Sequence, residues 1–243
     1  MLSVDPGMPA AVVPPAHSPY WTFYEAVAAA QLLDWLPEAP CRLLDLSGDG
    51  PERGLFLQEL GHTVVRIGLT APTGLATVTA DVRSLGWLQD ACLDAVVAEA
   101  QALSRCLATE ETANDLARVL RPGGRLLLVV DSHVTGLALL ADQGRWAELA
   151  DIPSADVVLV PHPDGGFSRC FWPEELHALL EDSGLDVEWV RPRTLLTPVV
   201  VERALATGGV QALPRLLEAE LQLAQDREGD TGLHLVASAR RPG

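Results

Sequence analysis

The chain is short of positive charge. Its 243 residues carry 17 lysines and arginines against 33 aspartates and glutamates, a formal net charge of −16. A surface of that sign repels phosphate backbones, which argues against nucleic acid as a partner and against an anionic membrane surface. No apolar run approaches the ~20 residues that a membrane span needs. Cysteine is scarce too: Cys41, Cys92, Cys106 and Cys170 form no CxxC pair, and no Cys/His cluster has zinc spacing. No metal site is therefore expected, and the four thiols read as free and packed like small apolar groups. The N-terminus, MLSVDPGMPAAVVPP, lacks the basic and apolar regions of a secretory signal. It reads as a disordered leader over 1–19, with the cytoplasm as the default location.

What is present is enough for one core. Apolar residues make up 48%, too many for a disordered chain, and the length suits a single domain over 20–243. Apolar residues recur at helical spacing over 20–36, and Pro37 ends that helix. Strands are expected at 42–46, 63–67, 77–80, 93–98 and 125–130, with helices at about 52–60 and 109–120. Each strand is almost continuously apolar, which predicts a parallel sheet covered on both faces. Later come a helix over 135–150, a hairpin built from DVVLV, PHPDGG and FSRCFW, and a helix starting at Pro173. LDVEWV follows as a strand, 198–226 as mostly helix, and GLHLVASARR as a last strand.

Ligands of doubly wound sheets bind outside the carboxyl ends of the strands. Those ends carry Asp45, Gly68, Asp81, Glu99 and Asp131. The first of them opens the turn Ser47-Gly48-Asp49-Gly50-Pro51-Glu52, where strand gives way to helix. A turn of this kind offers backbone N–H groups and a helix N-terminus to a ligand, and it needs glycine for positive φ and close approach.

Four segments resemble the class I S-adenosylmethionine-dependent methyltransferases: LLDLSGDGPERG, TADVRSL, LDAVVAEAQAL with ARVLRPGGRLLLVVDS, and FWPEELHALLEDSGLDVEWV. The resemblance spans about residues 20–240 and is nearest to bacterial small-molecule methyltransferases of specialised metabolism. It implies an α/β Rossmann-like fold with a mostly parallel seven-stranded sheet and helices on both faces. It also implies S-adenosylmethionine as cofactor and O- or N-methylation of a small molecule. Carried over by residue, the cofactor would lie against Asp45, Ser47, Gly48, Asp49 and Gly50, with Asp81 and Val82 at the adenine and Glu99 beyond the fourth strand. The segment 20–37 would be a lid helix, and 135–172 an inserted helix and hairpin over the substrate.

Against that pattern, the usual glycines fall on Ser47, Asp49 and Pro51, and the acid expected for the ribose falls on Gly68. Gly48 and Gly50 serve only if the turn has shifted by one residue. About nine residues join strands two and three, too few for the helix that crosses over there. The alternative is therefore a methyltransferase-like protein without the cofactor, acting as a non-catalytic partner subunit or in another reaction such as a cyclisation. In a pure binding module, Leu69, Leu75 and Leu85 would fill the adenine space. Homo- and hetero-oligomers both remain open.

Other candidates carry two readings each. His17, Tyr20, Trp21 and Tyr24 either cover cofactor and substrate or pack the first helix onto the sheet. Glu99 either orients a substrate and takes its proton or is a solvated loop acid, and His133 is either a general base or a surface residue. His162, with Asp164 and Arg169, either caps the substrate pocket or marks an exposed turn. His62, His177 and His234 read as structural.

Overall fold

The computed structural model describes residues 13–48, 50–99, 101–152, 155, 157–224 and 232–243. Helix α1 (Tyr20–Trp35) leads into β1 (Arg42–Asp45), α2 (Glu52–Glu59), β2 (Thr63–Ile67) and β3 (Ala76–Val78). There follow β4 (Leu93–Ala98), α3 (Thr109–Val119) and β5 (Leu120–Asp131). Next come α4 (His133–Asp142), α5 (Trp146–Asp151), β6 (Val158–Pro161) and β7 (Phe167–Cys170). The chain closes with α6 (Pro173–Asp182), β8 (Asp186–Pro192), α7 (Pro198–Thr207), α8 (Ala212–Ala224) and β9 (His234–Arg240).

Seven strands form one sheet in the order β3-β2-β1-β4-β5-β9-β8. The pairs from β3 to β5 are parallel, while β9 runs antiparallel to both β5 and β8. The physical basis is the alternation of side chains along each strand. Leu44, Val96 and Leu128 enter one apolar layer, beneath α3 and α6. Their neighbours Leu43, Val97 and Leu127 enter the opposite layer, with Leu57 of α2 and Leu32 and Trp35 of α1. Burial on both faces explains why these strands read as unbroken apolar runs.

Most expected elements stand within a few residues of their places. The helix expected over 135–150 is two, α4 and α5, because Gly144 takes φ +68 between them. No helix crosses over between β2 and β3, and the intervening chain is turn and bend. Of the expected leader, 1–12 lie outside the described residues. Residues 13–19 turn back onto α1: Pro15 O accepts hydrogen bonds from Ser18 N (2.9 Å) and from Trp21 Nε1 (3.0 Å). The first half of α1 packs Tyr20, Phe23 and Val27 against Val201 of α7 and Leu213 and Leu217 of α8. That packing hangs the helix over the carboxyl edge of the sheet.

Candidate functional site

A cavity of about 330 Å³ opens at that edge. Its floor comes from the ends of β1, β4 and β5 and the start of β9, through Ser47, Glu99, Asp131 and His234. Trp21 and Tyr24 of α1 roof it, and His162 and Ser168 of the β6–β7 hairpin wall the far side. The hairpin is held there by main chain: Arg169 N donates to Ser104 O at 2.7 Å, and Phe171 N to Asp131 O at 2.9 Å. His162 Nε2 lies 2.9 Å from Ser168 Oγ across the hairpin.

The charges of the cavity are nearly all paired. Glu99, with 5% side-chain exposure, bridges Arg53 of α2 and Arg193 beyond β8. Arg193 is itself 1% exposed and donates to Gln31 Oε1 of α1 at 2.7 Å. Its guanidinium stands 6.0 Å from the ring of Tyr24. A buried cation is tolerable only with such compensation. Arg53 also reaches Glu25 on the exposed side, at 3.7 Å. Asp131 faces a histidine instead: Oδ1 lies 3.4 Å from His234 Nε2, and both residues are buried. They are opposed across the β5–β9 ladder, so the backbone sets their approach. Arg105 lines the cavity with no carboxylate partner among the described residues. It sits in the turn that begins at Gln101, whose φ of +49 is unusual for a residue with a side chain.

Beside the cavity, the turn after β1 is filled by the protein itself. Arg66 of β2 is 1% exposed; its Nη2 donates to Gly48 O at 2.6 Å and its Nη1 to Thr70 O at 3.2 Å. Positions 66 and 68 share one face of the strand. A β-carbon at Gly68 would stand 2.1 Å from Arg66 Nη1, so the guanidinium occupies what a side chain at 68 would take. Gly48 has φ +103, and Asp45 Oδ1 accepts from Ser47 N at 2.9 Å. Burial pushes the Asp45 carboxyl up, opposed by its bonds to Ser47 and the nearby charges of Arg53 and Arg66.

Solved structures share this architecture. A putative S-adenosylmethionine-dependent methyltransferase from Listeria monocytogenes superposes with TM-score 0.60 at 12% identity, covering 91% of this chain and 100% of its own. One from Mesorhizobium loti gives 0.57 at 18%, covering 90% and 100%. The Burkholderia thailandensis 1,6-didemethyltoxoflavin-N1-methyltransferase, solved with its substrate and S-adenosylhomocysteine, gives 0.54 at 18%, covering 93% and 82%. The chain has the class I methyltransferase fold. At the level of fold the resemblance drawn from its motifs is borne out. The sequence matches no family model and no curated protein.

Whether this methyltransferase fold still suits S-adenosylmethionine can be tested on its own atoms. The ribose diol needs an acceptor at the end of β2; the structure puts the Arg66 guanidinium there, already bound to Gly48 and Thr70. Adenine needs Asp81, yet its carboxylate is held by Arg83 Nε (2.9 Å) and Nη2 (2.7 Å). Those bonds hold its pKa down at about 2, and both partners are half-exposed. None of Gly48, Gly50, Gly68, Asp81 or Val82 lines the cavity. The residues present do not fit the nucleoside. Leucines are not what closes the seat: Leu69 is 84% exposed, while Leu75 and Leu85 are buried in opposite layers of the core.

The remaining candidates fall in different places. Ser47, Glu99, Trp21, Tyr24 and His162 come together around the cavity. Tyr20 is fully buried and hydrogen bonds Thr194 Oγ1 at 2.6 Å; burial pushes its phenol up to about 12. His133 lies outside the cavity lining, its ring stacked 3.6 Å from Trp172, and burial lowers its pKa. His17 is exposed and does not line the cavity. Gly50 is covered by the Glu52 carboxylate, whose Oε2 would lie 1.9 Å from a β-carbon at 50. Asp49 lies outside the described residues. Sequence reasoning missed Arg53, Arg66, Arg105 and Arg193, and it took His234 for a structural residue. One signal was available for Arg66: a cation within the apolar run TVVRI has to be buried or end the strand.

Proposed function

We propose that this protein binds a small molecule in the cavity beneath α1 and the β6–β7 hairpin, and does so without S-adenosylmethionine. The single observation that carries the reading is the Arg66 guanidinium on Gly48 O, filling the face above Gly68. A fully buried guanidinium cannot leave that place cheaply, because its charge and its donors would lose their partners. A nucleoside arriving there would also meet a cation where it needs an acceptor. The substrate half of the fold persists as a cavity at the low end of the usual size for small-molecule sites, about 300–1,000 Å³.

The methyltransferase reading keeps one observation of its own. Asp45 Oδ2 and Ser47 Oγ are buried without a hydrogen-bond partner among the described residues, and Ser47 lines the cavity. Those two atoms suit the polar tail of a cofactor. Isothermal calorimetry with S-adenosylmethionine and S-adenosylhomocysteine decides between the readings. No heat at millimolar ligand is expected. Micromolar binding of either would overturn the proposal and restore methylation of a small molecule as the function.

A further inference from the structure

Arginine supplies all 17 basic side chains of this protein, which has no lysine and 33 carboxylates. With carboxylates in such excess, a guanidinium left without a partner is the exception. Most are taken, by ion pairs as at Arg53, Arg118 and Arg193, or by main-chain carbonyls as at Arg66 and Arg241. The Arg105 guanidinium has neither among the described residues; its main-chain N–H alone is engaged, donating to Gln101 O at 3.2 Å. Arg203 and Arg215 share that freedom, but they lie exposed on α7 and α8 and do not line the cavity, whereas Arg105 does.

The backbone fixes where Arg105 starts and leaves its side chain open. Gln101, which also lines the cavity, opens the turn after β4 at φ +49, a strained conformation of the kind that gathers at ligand sites. Ala102, Leu103 and Ser104 are buried. Ser104 clamps the turn to the neighbouring elements: its Oγ accepts from Asp131 N at 2.8 Å and its main-chain O from Arg169 N at 2.7 Å. Arg105 follows directly and is exposed.

The charges around the cavity say what would complete it. Its lining sets Arg53, Arg105 and Arg193 against Glu25, Glu99 and Asp131, so no excess of one sign draws a ligand in. The sharing of charge decides instead. Glu99 serves Arg53 and Arg193, Glu25 lies 3.7 Å from Arg53, and Asp131 lies 3.4 Å from His234. None of the three pairs with Arg105. One monoanion completes the set, whereas a dianion such as a phosphate would meet three carboxylates with a single free cation. The guanidinium fork matches the two oxygens of a carboxylate. Trp21, Tyr24, Ala28 and Leu139 give the same lining an apolar side for the rest of the molecule. We propose, resting on the reading of this cavity as the ligand site, that it takes a small monocarboxylate with an apolar body and that Arg105 receives the carboxylate.

The test is calorimetry on the full chain at neutral pH with cinnamate and hexanoate, each set beside its neutral amide. At least one carboxylate should bind saturably, and about tenfold or more tighter than its amide, the effect of one charge-assisted hydrogen bond. Arg105→Ala should cost the carboxylate that same factor and leave the amide unchanged, whereas a residue that only packed the wall would weaken both alike. Arg105→Lys, which keeps the charge without the fork, should recover part of the loss. Arg203→Ala, on the exposed face of α7, should change neither. An exposed side chain with no partner among the described residues is one the fold can lose. Should Arg105→Ala nevertheless fail to fold, the preference of the unaltered protein for acid over amide decides. Neither carboxylate binding at millimolar ligand overturns the proposal, as does an amide that binds as well as its acid or a preference that survives in Arg105→Ala. Calorimetric binding of S-adenosylmethionine would sink the closed-seat reading and leave this test standing; acid and amide binding alike would sink the carboxylate and leave the cavity as a ligand site.

Discussion

Glu99 shows how much a single buried charge decides. It satisfies Arg193, which is 1% exposed, and it ties β4 to the far side of the sheet. Glu99→Gln keeps the shape and removes the charge, leaving the cation uncompensated; a loss of about 3–5 kcal/mol is expected from urea denaturation. Glu25→Gln, at a carboxylate 65% exposed and 3.7 Å from Arg53, should stay within about 0.5 kcal/mol of the parent. Equal effects would mean that Glu99 is not the keystone of the network. Tyrosine gives a second test, since the chain has only Tyr20 and Tyr24. Burial raises both phenols, Tyr20 to about 12. An unfolded tyrosine ionises near pH 10, so the folded chain resists ionisation longer than the unfolded one. The stability from these buried phenols is therefore whole below about pH 10 and lost as pH rises towards 12. Absorbance at the tyrosinate band should stay flat through pH 10 and rise only with unfolding. A normal titration near pH 10 would show that α1 does not cover these rings.

At the scale of elements, the hairpin is the wall that makes a cavity out of an edge. It rests on α4 at Gly136, where a β-carbon would lie 2.9 Å from Val158 Cγ1 and 3.2 Å from Cys170 Sγ. Gly136→Val should push hairpin and helix apart, costing about 1–3 kcal/mol as other overpacked sites do. Thermal melting would register the loss, and ligand affinity should fall with it because His162 and Ser168 move away. An unchanged melting temperature would mean that the wall is loosely seated. The short connection from β2 to β3 belongs to the same scale. Too short to carry a helix, it runs close over the sheet edge, where Thr70 O accepts from Arg66. The shortened loop and the buried arginine are parts of one arrangement.

Across the whole molecule, a net charge of −16 means that folding concentrates like charge. Screening lengths fall from about 30 Å at 0.01 M salt to about 8 Å at 0.15 M, so added sodium chloride should stabilise the fold even as exposed ion pairs weaken. A urea midpoint that falls with salt would show that the pairs outweigh the self-repulsion.

The order of strands and helices was legible in the sequence because it rests on local signals: apolar runs, helical spacing, Pro173 at the start of α6 and the PGG turn before the fifth strand. The missing crossover helix was legible for the same reason, as a count of residues. Part of the cavity wall, Ser47, Glu99, Trp21, Tyr24 and His162, was legible from strand ends, the lid helix and the hairpin. What stayed hidden were partnerships between distant positions. Arg66 finds Gly48 across 18 residues and Arg193 finds Glu99 across 94, and neither pairing has a local trace. His133 and His234 each stand beside a strand in the sequence. Only β9 inserting antiparallel beside β5 sets His234 against Asp131, while α4 turns His133 onto Trp172. Composition and periodicity by themselves determined which segments become strands and helices, since each segment's apolar pattern must match the period of its own backbone. Tertiary structure alone decided which charges are buried together, because burial and pairing depend on where the sheet brings remote strand ends.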